Sequence, residues 1–96
     1  MNLSISMEEK AKDFLEKKHN VLTITRMDID RGCAGFEDLD ISYHNPQNDN
    51  YEEYLHHGVT IYVQKGLQFK ENHIEIVVSG IGPFKAIAVD GLKRSV

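Results

Sequence analysis

The sequence predicts an α+β fold: an N-terminal helix followed by a small twisted β structure, mostly antiparallel or mixed. Two observations carry this. Apolar residues recur at helical spacing only in the first twenty positions, as Met7, Ala11, Phe14 and Leu15. Beyond them the apolar residues alternate, the period-two mark of half-buried strands.

The helix is expected over roughly residues 6 to 18. Ser6 and Glu9 have the spacing of a capping box, in which each side chain accepts from a free backbone N–H of the first turn. Lys17 and Lys18 suit the negative end of the helix dipole, and Asn20 suits a left-handed stop.

Strands follow. In "VLTITRMDID" Leu22 and Ile24 share a face, while Met27 and Ile29 have the opposite parity, so a bulge or bend is expected between the pairs. "DLDISYH" alternates, with Leu39, Ile41 and Tyr43 inward and Asp38, Asp40, Ser42 and His44 outward. "NPQNDN" is a polar turn cluster, and "YEEYLHH" reads as a short helical turn ending at Gly58. "VTIYVQ" and "HIEIVVS" are strands with Val59, Ile61, Val63 and Ile74, Ile76, Val78 in phase. Leu67 and Phe69 anchor the loop between them. A turn at residues 80 to 83 leads to a last apolar run, "FKAIAV" at 84 to 89.

The totals set limits. Ninety-six residues suit one domain spanning residues 1 to 96, with no linker or repeat. The 41% apolar fraction is enough for one modest core. Eleven Lys and Arg against 15 Asp and Glu give a net charge of −4, a poor match for phosphate backbones, so no nucleic-acid partner is expected. No apolar run approaches the roughly 20 residues of a membrane-spanning helix, so no membrane partner is expected. One cysteine, with a charged N-terminal stretch, points to a reducing cytoplasm.

That cysteine is Cys33, in "RGCAGF". Gly32 and Gly35 permit positive φ and leave backbone N–H groups near a thiolate, and Arg31 would lower its pKa. The bland alternative is a small buried hydrophobe. His19, His44, His56, His57 and His73 are imidazole ligands in principle, though no metal-binding spacing links them. Asp28, Asp30, Glu37, Asp38 and Asp40 cluster near the cysteine, a pattern more often of a solvated strand face. Tyr43, Tyr51, Tyr54 and Tyr62 read as packing. No cysteine-hydrolase signature surrounds Cys33. Gly80-Ile81-Gly82-Pro83 lacks the Lys and Ser/Thr of a phosphate loop, and its Pro removes a donor.

Order and motif together resemble the HesB-like, or A-type iron–sulfur carrier, proteins. The likeness lies in the opening "MEEKAKDFLEKK", the Gly32-Cys33-Ala34-Gly35 turn followed by Phe36, the stretch "HHGVTIYVQKGLQF", and "IEIVVSGIGPFKAIAV". It implies a HesB-like fold with Cys33 at a loop mouth, held by Gly32 and Gly35. The implied task is not enzymatic turnover but acceptance of iron or an iron–sulfur cluster and its delivery to apo-proteins or assembly partners. Of the family's three cysteines only Cys33 carries over, because the chain ends "VDGLKRSV" without the C-terminal Cys-Gly-Cys. Clusters usually take four thiolates, so the ligand set of one chain is incomplete and a homodimer would supply two. The competing expectation is a protein-interaction module that keeps the scaffold without the cofactor.

Overall fold

The computed structural model describes residues 3 to 27 and 38 to 91. The chain opens with a strand, β1 (Ser4–Met7), and only then enters helix α1 (Glu9–Glu16). Six strands follow: β2 (Val21–Met27), β3 (Asp38–Ser42), β4 (Tyr51–His56), β5 (Val59–Gln64), β6 (His73–Ser79) and β7 (Ala86–Asp90). They form a three-stranded sheet of order β1-β6-β7 and a four-stranded sheet of order β3-β2-β5-β4. Each sheet is mixed: β1 runs parallel to β6 and β2 parallel to β5, while the other neighbours are antiparallel.

The expected α+β class with a leading helix of the HesB-like type is therefore corrected. Strand takes up 51% of the described residues against 18% helical, and the fold is mostly β with one short helix. The correction has a local cause. Ser6 lies in β1 opposite Glu75, so its hydroxyl is not a cap. Glu8 occupies the N-cap position instead and makes no side-chain cap bond. Ile5 and Met7 share a strand face and pack on the core, a period-two pattern too short to stand out against the helix that follows.

At the other end of α1 the expected stop is present, and it is two residues long. His19 and Asn20 both have positive φ, 65° and 57°, and the Asn20 N–H donates to the Leu15 carbonyl. Asn is among the residues that tolerate this conformation best.

The stretch "YEEYLHH" is strand β4, not a helical turn. His57 (φ 48°) and Gly58 (φ 83°) form a two-residue connection with both residues left-handed, the turn that matches the twist of paired antiparallel strands. Tyr51 to His56 then pair with Gln64 to Val59 in register.

Leu22 and Ile24 of β2, Val59, Ile61 and Val63 of β5, and Ile74 and Ile76 of β6 are buried between the sheets with Ala11 and Leu15 of the helix. The helix packs against both β6 and β5 and so closes one side of this core. Phe69, in the β5–β6 connection, and Ile87 of β7 complete it. The sheets also touch through β3 and β7, where the Ile87 N–H donates to the Tyr43 hydroxyl at 3.2 Å.

Candidate functional site

Cys33, Gly32 and Gly35 lie outside the described residues, as do Arg31, Asp28, Asp30 and Glu37. The described strands do show where this segment is rooted. Met27 at the end of β2 pairs with Asp38 at the start of β3, so residues 28 to 37 leave and re-enter the sheet at neighbouring positions.

The root is braced by hydrogen bonds across the outer part of the sheet. The Arg26 N–H donates to Gln64 Oε1 at 2.6 Å, tying β2 to the end of β5. The hydroxyls of Thr25 and Tyr51 lie 2.8 Å apart and link β2 to β4 across the intervening strand. Gln64 also lines a small cavity of about 100 Å³, with Glu52, Tyr54, Leu67 and Asn72 around it. Burial and the nearby Glu52 carboxylate push the Tyr54 phenol up from its ordinary value.

The other residues singled out by sequence are scattered. Asp40 pairs with Thr25 and is exposed. His44 follows β3, and its carbonyl accepts the hydroxyl of the buried Thr23 at 2.5 Å. His73 belongs to the other sheet, where its Nδ1 lies 3.0 Å from the Ser4 hydroxyl. His19 sits in the exposed turn after the helix.

His56 and His57 are adjacent in sequence, and their rings meet edge to face with centroids 4.3 Å apart. The left-handed backbone of His57 swings its ring back over His56. Desolvation lowers the His56 pKa, and the neighbouring His57 lowers it further. This pair stands at the Val21 end of the sheet, because His56 pairs with Val59 and Val21 with Thr60. Met27 is six positions further along β2, about 20 Å at strand rise, so the imidazole pair and the root of the cysteine segment occupy opposite ends. Among the described residues no three or more His, Cys, Asp or Glu side chains gather as a metal site would require. Nor, among them, is any helix long and apolar enough to cross a membrane.

Over residues 3–92 the sequence matches the model of the CC/Se motif containing family. The chain belongs to that family. The match covers both sheets, the helix and the segment that holds Cys33. Within this family member no two cysteines are adjacent, since Cys33 is the sole cysteine and Gly32 precedes it. No curated protein and no solved structure matches the chain.

One feature escaped sequence reasoning altogether. A cleft of about 330 Å³ opens between α1 and the end of β6, lined by Lys10, Asp13, Phe14, Lys17, Val78 and Lys85. Its walls come from positions more than sixty residues apart, and no local pattern announces that they meet.

Proposed function

We propose that this member of the CC/Se motif containing family handles iron or an iron–sulfur cluster through the thiolate of Cys33. Delivery to apo-proteins or assembly partners would proceed by ligand exchange rather than catalytic turnover. The observation that carries the reading is the placement of the chain's sole thiol. It lies between two glycines, in a segment whose ends are pinned side by side at Met27 and Asp38. The likeness of the Gly32-Cys33-Ala34-Gly35 stretch to HesB-like carriers supplies the metal.

Ligand count shapes the mechanism. A cluster usually takes four thiolates, and a homodimer offers two copies of Cys33. The remaining positions would be filled by an external thiol or by the recipient, a labile arrangement suited to transfer. A reducing cytoplasm would keep the thiol available.

Anaerobic reconstitution with ferrous iron and sulfide tests this by visible absorption after desalting. Colour present in the wild type and absent in Cys33→Ser supports the carrier. Equal spectra of the two proteins would instead favour the interaction-module reading.

A further inference from the structure

Helix α1 and its C-cap residue present Lys10, Phe14 and Lys17 at spacings of four and three, which places them along one face. Opposite that face, β6 ends at Ser79 and the chain turns through Gly80 to Lys85. Gly80 has φ +102°, and a Cβ there would overlap the Phe84 carbonyl oxygen, so this turn is built around a glycine. The 330 Å³ cleft lies between the two walls, with Phe14 and Val78 as its apolar surfaces.

Its charge is opposite to that of the molecule. Lys10, Lys17 and Lys85 line it with one acid, Asp13, while the Glu8 carboxylate beside it is taken up by the Val78 N–H, in a chain of net charge −4. Lys18 adds a fourth cation beside it, its ammonium 5.6 Å from the Phe14 ring centroid and 5.4 Å from that of Tyr43. The loop that forms the second wall carries Ile81 and Phe84, which are 85% and 83% exposed. Large apolar side chains left this open, three positions apart in one short turn that runs on to Lys85, mark an interaction surface.

We propose that this cleft docks an acidic segment of another protein. An apolar side chain of that segment seats between Phe14 and Val78, and its carboxylates face Lys10, Lys17 and Lys85. Ile81 and Phe84 extend the apolar contact along the rim. Charge complementarity selects this occupant: the ligand must bring negative charge and apolar surface together into a concavity that holds only a few side chains. An anionic bilayer brings both as well, but it is flat and does not fit a concavity of about 330 Å³. The described root of the cysteine segment lies further along the sheet. Phe14 touches Tyr43, next to the Thr23–Ser42 pair, and the Met27–Asp38 root lies four positions along β2, about 13 Å away. The inference thus goes beyond the thiolate reading and does not depend on it.

The test is an amide-resolved NMR titration of the full chain with a pool of hexapeptides rich in Asp and Glu and carrying Leu or Phe. A matched pool with Lys and Arg in place of the acids, and vesicles containing phosphatidylserine, serve as comparisons. The proposal expects shifts confined to Lys10, Phe14, Lys17, Val78 and the Gly80 to Lys85 turn, Ile81 and Phe84 included, with the acidic pool. Lys10→Glu with Lys85→Glu should weaken the affinity at least ~10-fold and flatten its fall with added salt, since the attractive charge pairs have been removed. Ile81→Ser with Phe84→Ser, both exposed and so harmless to folding, should weaken it as well. No response to the acidic pool, an equal response to the basic pool, an unchanged affinity in the charge-reversed variant, or a response to vesicles alone would each overturn it.

Discussion

The backbone N–H of Val78 donates to Oε1 of Glu8 at 2.8 Å, joining positions 70 apart in the chain. β1 covers the edge of β6 only as far as the Met7–Ile76 pair, and the helix begins immediately beyond. The Glu8 N–H still donates to the Ile76 carbonyl, and its carboxylate then takes the next donor that a longer β1 would have met. One residue therefore ends a strand, starts a helix and closes the sheet edge beside the basic cleft.

Glu8→Ala should lower unfolding free energy by at most about 1 kcal/mol, since the charge-assisted bond that is lost lies at an exposed position. Glu8→Gln keeps an acceptor and should lose less. Urea denaturation of the two variants, with hydrogen exchange at the Val78 amide, measures both effects.

The pH dependence of stability should carry a signature of His56. Its folded pKa is depressed, first by desolvation and then by His57. The folded state thus binds fewer protons than the unfolded state below about pH 6.5, and stability is lost as pH falls through the folded value. His56→Gln should flatten the slope of unfolding free energy between pH 7 and pH 5 relative to the wild type. An unaltered slope would show that His56 titrates alike in both states.

How much of this was legible in sequence depends on which face of a strand is apolar. Leu22 and Ile24, Val59 to Val63, and Ile74 and Ile76 announce themselves because alternate residues are β-branched or leucine, and all are buried. β4 was illegible for the converse reason. Its core-facing side carries Glu52, Tyr54 and His56, opposite Val63, Ile61 and Val59, so the edge strand shows no apolar alternation. β1 was hidden because Ser6 and Glu9 imitate a cap. The site divides likewise: the sequence isolates Cys33 by its rarity, whereas the cleft exists only once α1 and the 80–85 turn are brought together.

Turn glycines offer a further check on the assigned backbone. Gly80→Ala would force a side chain into both positive φ and the Phe84 carbonyl, and should cost about 1–3 kcal/mol. Gly58→Ala meets no neighbouring atom, so only the conformational penalty of about 1 kcal/mol applies. Thermal denaturation should rank Gly80→Ala well below Gly58→Ala.

Tyr43 links the two sheets through its hydroxyl. Tyr43→Phe leaves the Ile87 N–H without that acceptor while keeping the ring against Phe14, and should destabilise by about 1 kcal/mol. Faster hydrogen exchange at Ile87, with the remainder of the core unchanged, identifies the cause.

Native mass spectrometry under anaerobic conditions, after incubation with ferrous iron and sulfide, asks whether Cys33 holds iron. A thiolate carrier centred on Cys33 shows iron on a dimer of the wild type, and none on Cys33→Ser. Iron bound equally by both proteins, or by neither, would contradict a thiolate carrier centred on Cys33.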